Sequence, residues 1–180
     1  MSDCLIIGSP GAGKSSLVAE LRNRQRLAYD ADLVPGLLGW YDENGKGVTG
    51  YDSSQAWRDS HLCRWDIARM ARFLDHEQPE TLYVAGIAPN WPDAVPLFRR
   101  LIYLDVSVET ACERIAHPDR STPFPFDCTD QYRMQLRENL PGFREKAVQL
   151  GAVAINAELG ISQIADDLIT LVEDTACTQA

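Results

Sequence analysis

Apolar residues fall into two patterns along this chain: short continuous runs of strand length, and stripes that recur every three or four positions. Cys4-Leu5-Ile6-Ile7, Thr81 to Ala85, Leu101 to Leu104 and Ala152 to Ile155 are runs of the first kind. A strand that is apolar at successive positions has both faces covered, which marks a parallel sheet between helical layers. Arg26 to Tyr29 is a fifth strand candidate, ending at Asp30. Stripes of the second kind run through Leu17, Val18 and Leu21 and through Cys63, Ile67, Met70, Ala71 and Leu74. They recur at Ala111 and Ile115, behind a candidate N-cap at Ser107, and at Ile161, Ile164, Ala165, Leu168 and Val172. Each predicts a helix with one buried face. A helical region from near Asp130 to Leu150 is expected to be interrupted at Pro141-Gly142, because proline removes a backbone donor. Pro35 to Ser54, with five glycines, reads as loop-rich, and residues 117–129, rich in Pro, Asp, Ser and Thr, as a mobile loop. The alternation predicts a three-layer α/β fold, a five-stranded parallel sheet with helices on both faces.

Composition narrows the class. At 180 residues the chain fits one domain, 1–180, with no internal repeat or linker. A net charge of −9 argues against a surface that tracks a nucleic-acid polymer. No apolar run approaches a membrane span and no signal-like leader opens the chain, so a soluble cytoplasmic protein is expected. The five cysteines are scattered, without CxxC pairs, and read as reduced thiols. Oligomeric state leaves no mark in the sequence.

The first strand runs into Gly8-Ser9-Pro10-Gly11-Ala12-Gly13-Lys14-Ser15, which satisfies G-x-x-x-x-G-K-[ST], the P-loop or Walker A pattern, at every fixed position. Glycines let the backbone turn its N–H groups onto phosphate oxygens, and the helix that follows aims the positive end of its dipole at the same point. Lys14 supplies a mobile cation for the β- and γ-phosphates, and Ser15 a hydroxyl ligand for Mg²⁺. Residues Gly8, Pro10, Gly11, Ala12, Gly13, Lys14, Ser15 and Ser16 are the candidate ATP-binding set. Its position between a strand and a helix is the context the chemistry requires.

Three further features bear on the reaction. Asp30 and Asp32 stand at the carboxyl end of the second strand, where ligands bind in open α/β sheets. One can hold Mg²⁺ with Ser15, for which Asp30 is the choice. The other, Asp32, can orient or deprotonate an attacking hydroxyl; helix capping or turn formation is the plainer role for both. Arg120, in the polar loop after the fourth strand, could close over the γ-phosphate and exclude water, or be a solvated surface charge. Arg133 and Arg137, four residues apart on one helix face, could hold an anionic acceptor or make surface ion pairs, and Arg114 is open between a ligand and a helix-face charge. Leu101 to Asp105 looks like a Walker B strand, but Asp105 is read as capping the following turn, leaving Asp30 and Asp32 as the acids on the metal side.

The order of P-loop, DxD at Asp30 to Asp32, Gly86 after the third strand, and Arg120 in a lid resembles shikimate kinase and its gluconate kinase and nucleoside monophosphate kinase relatives. Asp32 to Trp40 with Arg120 to Phe126 also resembles uncharacterised bacterial ATP-binding, adenylate-kinase-like proteins. The resemblance implies a lid at about 117–130 and an acceptor-binding insertion at about 33–62. It implies acceptor contacts from Asp32, Gly86 and Arg137, the last of these near the family's acceptor-binding arginine. Departures accompany it. The family's triple glycine is reduced to Gly86, and no arginine follows the DxD closely, which argues against shikimate as acceptor. Trp40-Tyr41 and the Trp57 to Trp65 segment occupy the expected acceptor-binding region. Their aromatics could stack on a ring or sugar face with Arg58 or Arg64 anchoring an anion, or Trp57 and Trp65 could be core residues.

These features lead to an expected ATP- and Mg²⁺-dependent kinase that transfers the γ-phosphoryl group to a hydroxyl or phosphate of a small-molecule acceptor. Lys14, Asp32 and Arg120 are its expected catalytic residues. The alternatives are a mononucleotide kinase of the same class, or an ATP-binding or ATPase module without an acceptor. A GTPase switch would carry an Asn-Lys-x-Asp guanine reader, and the chain has none.

Overall fold

The computed structural model describes residues 2–50, 54–77, 81–117 and 129–173. Its elements in chain order are β1 (Ser2–Ile7), α1 (Lys14–Asn23), β2 (Leu27–Asp30), β3 (Leu38–Tyr41), β4 (Gly47–Val48), α2 (Gln55–Ser60), β5 (Leu62–Trp65) and α3 (Ile67–Glu77). There follow β6 (Thr81–Ala85), α4 (Trp91–Ala94) with a 3₁₀ turn (Val95–Leu97), β7 (Arg100–Asp105), α5 (Val108–Ala116), α6 (Asp130–Gln149), β8 (Val153–Asn156) and α7 (Ile161–Glu173).

The five strands expected from the sequence form one parallel sheet in the order β2-β6-β1-β7-β8. Alternate residues of each central strand feed opposite layers. Cys4 and Ile6 join one buried cluster with Leu17, Val18 and Leu21 of α1, Ala111 and Cys112 of α5, and Leu168 of α7. Leu5 and Ile7 join the other, with Met70 and Leu74 of α3, Trp91 of α4 and Ala147 of α6. Leu5, Ile6 and Ile7 are all 0% exposed, and each such burial is worth about 1.5–3 kcal/mol. The connection leaving β1 lies on one face and the α3 and α4 connections on the other, so the chain diverges at the carboxyl end of β1. That divergence opens a crevice where open α/β sheets bind ligands. Ser107 caps α5 as expected, accepting from the Thr110 amide at 3.2 Å. Among the described residues, no helix is long and apolar enough to cross a membrane, and Cys4, Cys63 and Cys112 are free thiols.

Three expectations about elements are corrected. The stretch read as loop-rich contains β3 and β4, joined by a turn in which Asp42 Oδ1 accepts from the amides of Asn44 and Lys46. Cys63 is not part of a helical stripe; it lies on β5, opposite Trp40, in a three-stranded antiparallel sheet ordered β4-β3-β5. The helix begins only at Ile67. The short run Leu62 to Trp65 is ambiguous by period, and pairing with β3 settles it as a strand. Finally, α6 is continuous through Pro141. Packing on both sides of the proline holds it: Leu136 is buried before it, and after it Phe143 meets Trp91 and Tyr103 edge-on at 5.5 Å each. The lost backbone bond is offset by that burial.

Candidate active site

The P-loop occupies the turn between β1 and α1, at the point where the connections diverge. Gly11 has φ 82°, and a Cβ there would stand 2.4 Å from the Ala111 carbonyl oxygen of α5, so only glycine fits. That contact seats the loop against α5. Gly13 is the N-cap of α1, with no side chain of its own to satisfy the first-turn amides. Lys14 Nζ donates to the carbonyls of Gly8 at 2.8 Å and Ser9 at 3.0 Å, holding the ammonium over the loop. Ser9 Oγ is buried with no hydrogen-bond partner among the described residues. An unsatisfied buried hydroxyl is costly, and here it sits within a loop of backbone donors suited to an anion.

The two aspartates meet this loop through β2. Ser15 Oγ donates to Asp30 Oδ2 at 2.6 Å, and Asp30 is buried. Its other oxygen accepts the Asp32 amide at 3.1 Å, so Asp30 fixes the turn that presents Asp32. Burial, with the neighbouring Asp30 charge, raises the Asp32 carboxyl from 3.8 to about 6. Lys14, the Trp65 indole N–H and the Ile87 amide act the other way. Trp65 Nε1 stands 3.4 Å from Asp32 Oδ1. Asp32 is thus a carboxylate near neutrality within the field of the P-loop lysine, the condition a general base needs.

Gly86 explains itself sterically. A Cβ there would lie 2.8 Å from Trp65 Cζ2 and 3.2 Å from Asp32 Oδ1, so the turn after β6 can pass beneath the carboxylate only as glycine. The sequence reading missed Asn90 and the bond from Trp65 to Asp32. Trp65 is a buried core residue, one of its two sequence readings, and its indole N–H also holds Asp32. Asn90 clamps it, its side chain accepting from the Trp65 amide at 2.9 Å and donating to the Trp65 carbonyl at 3.0 Å. Nothing in the spacing of Asn90 signals this pairing, which depends on β5 lying beside the turn after β6.

A cavity of about 1090 Å³ spans the site, and Pro10, Gly11, Ala12, Gly13, Lys14, Ser15, Ser16 and Asp32 all line it. Arg114, left open by the sequence, lies along the P-loop, with Nη1 3.5 Å from the Gly11 carbonyl. Together with His117, Leu159, Ile161 and Ile164 it forms the wall on the β7–β8 side. On the β2–β6 side the wall is Leu38, Trp40, Cys63, Ile87 and Pro89. Arg137 is not brought to this cavity. It pairs with Glu109 at 2.7 Å and lines a separate surface hollow with Arg144 and Asp105. Asp105 itself pairs with Arg144 at 2.5 Å, away from the P-loop serine. Arg120 lies outside the described residues, as does the side chain of Arg58.

Strand order and loop together define an α/β P-loop fold. No family model and no curated protein matches the chain by sequence. By structure it is similar to a shikimate kinase from Acinetobacter baumannii in complex with shikimate, at 16% identity and TM-score 0.59, covering 97% of this chain and 94% of that one. It is similar to a deoxyadenosine kinase from M. mycoides, at 17% identity and TM-score 0.54, covering 96% and 99%. A gluconokinase from Sinorhizobium meliloti 1021 matches at 17% identity and TM-score 0.54, covering 99% and 98%. These neighbours are P-loop small-molecule kinases, and the likeness establishes their fold for this chain.

Proposed function

We propose that this protein is an ATP- and Mg²⁺-dependent phosphotransferase acting on a small-molecule acceptor. The observation that carries the proposal is the joining of two half-sites: the P-loop serine bonded to Asp30 at 2.6 Å, and Asp32 raised toward neutrality beside Lys14. Ser15 and Asp30 form a hard-oxygen pair that fits Mg²⁺, an ion that takes few protein ligands and keeps water and phosphate oxygens. When bound, the ion supplies charge neutralisation across the phosphates. The chain's own groups do the rest. P-loop amides and Lys14 hold the β- and γ-phosphates, and Asp32 accepts the proton of the attacking hydroxyl. Arg120, in a lid at about 117–130, closes over the transferring group, and residues 33–62 receive the acceptor. The free thiols suit a cytoplasmic setting.

The test is ADP release with Mg-ATP, alone and against a panel of metabolite alcohols and monophosphates. Acceptor-dependent release is expected. Tight ATP binding with release unaffected by any acceptor would sink the proposal in favour of an ATP-binding or ATPase module.

A further inference from the structure

The lobe facing Asp32 is built from one face of the small antiparallel sheet, and register decides which side chains it offers. Leu38 pairs with Trp65, and Trp40 with Cys63. Paired residues, and residues two apart on a strand, share a face. Leu38, Trp40, Cys63 and Trp65 therefore lie on one face, with Gly39, Tyr41, Leu62 and Arg64 on the other. The first set turns to the carboxylate. Leu38, Trp40 and Cys63 line the cavity with Asp32, and Trp65 directs its N–H at Asp32. Arg64 falls on the face turned away. Trp40 is braced from behind, meeting Trp57 edge-on at 4.9 Å, while Trp57 stacks on His61 at 4.1 Å. Ile87 and Pro89 close the lobe from the turn after β6. Among the described lining residues, the basic side chains Lys14, Arg114 and His117 belong to α1, α5 and the end of α5, outside this lobe.

The geometry points to an uncharged alcohol carried on a flat ring, of the nucleoside or hydroxymethyl-heteroarene class, as the phosphoryl acceptor. The inference rests on the phosphotransfer reading above. A carboxylate or phosphate on the acceptor would enter an apolar lobe that already faces Asp32. It would lose hydration while the sheet's own arginine lies on the far face. A neutral ring loses little by the same move and gains the face of the Trp40 indole. In the transfer, the acceptor oxygen forms a bond to the γ-phosphorus as the bond from that phosphorus to the β–γ bridging oxygen breaks. The hydroxyl proton passes to Asp32, and the products are ADP and the acceptor monoester.

The experiment measures ADP release by the full chain with Mg-ATP against two sets of probes. One set holds nucleosides and hydroxymethylpyridines; the other holds gluconate, shikimate and nucleoside monophosphates. A neutral ring alcohol is expected to exceed every anion in kcat/KM by about 100-fold. Trp40→Ala is expected to raise KM for that alcohol about tenfold with little change in kcat, and Trp40→Phe to recover most of it. Preference for an anion, or a KM indifferent to Trp40→Ala, would overturn the acceptor class while leaving phosphotransfer intact. ADP release that neither set stimulates, with ATP bound, would instead remove the phosphotransfer reading and this inference with it.

Discussion

The two walls of the cavity are made by different means. On the P-loop side, eight consecutive residues carry the phosphate chemistry, and the fold needs only to put a strand before them and a helix after. On the Asp32 side, the working groups come from four separate pieces: the end of β2, β3, β5 and the turn after β6. Burial and then the Asp30 charge raise Asp32, the Trp65 indole N–H and the Ile87 amide oppose that rise, and Trp65, Gly86 and Ile87 are all distant from it in the chain. The first wall is robust because its geometry is local. The second is a product of register, so a one-residue slip of β5 would turn Trp65 and Cys63 away and bring Arg64 in. On the proposed function, phosphate binding is therefore held by motif, and acceptor choice by pairing.

Substitutions that take one wall at a time test this division. The largest effect is expected from Lys14→Met, which removes the mobile cation and should lower turnover by about 10³-fold or more. Its unfolding midpoint should stay close to the parent's. Activity that survives would refute the assignment of the loop. Asp32→Asn comes next, with a loss in kcat of about 10²–10⁴-fold and ATP affinity retained. The two variants should part in stability. The Asp32 carboxyl is raised in the folded state from 3.8 to about 6, so its ionisation opposes folding. That cost is absent below the unfolded value, grows as pH rises to about 6, and is constant above. Asp32→Asn removes it and should stabilise the protein by about 2 kcal/mol at pH 8, with the gain vanishing below about pH 4. For the parent, the rate should fall as pH drops through about 6, where the base becomes protonated. A thermal or denaturant melt across that range checks the stability claim, and a pH–rate profile checks the base.

The same division governs what could be read before folding was known. The five strands and the P-loop turn between β1 and α1 were legible, because continuous apolar runs and G-x-x-x-x-G-K-[ST] are local signals. Asp30 and Asp32 were placed at the correct strand end, because topology puts ligands there. The small sheet was missed. Its strands are four residues or shorter, one follows a glycine-rich stretch, and Cys63 happens to fall four positions before Ile67, imitating a helical stripe. Pro141 was read as an interruption because its local cost is real. Half-buried Phe143 and buried Ala147, after it, supply the long-range packing that no window of sequence displays. Arg137 was drawn toward the acceptor by resemblance, whereas its helix face meets Glu109. The carriers of the second wall, Trp65 and Asn90, act through contacts 25 and 33 residues apart in the chain.

The smallest of these effects is the sharpest test of the second wall. Trp65→Phe keeps an aromatic ring in the core and deletes the indole N–H aimed at Asp32, leaving the Ile87 amide in place. That bond favours the ionised carboxylate, so its loss should raise the Asp32 carboxyl further and shift the acid limb of the pH–rate profile upward. At 3.4 Å the bond is long, and a shift below about one pH unit is expected, with kcat on the alkaline plateau changed by about threefold or less. A cavity in place of the six-membered half of the indole should lower stability by about 1–2 kcal/mol, which a melt separates from the kinetic effect. If the limb stays in place while stability falls, Trp65 is packing alone, and Asp32 is held at neutrality by burial and Asp30. If the limb moves, the small sheet does more than shape the acceptor lobe: through one indole it sets the pH at which the P-loop's opposing base is ready.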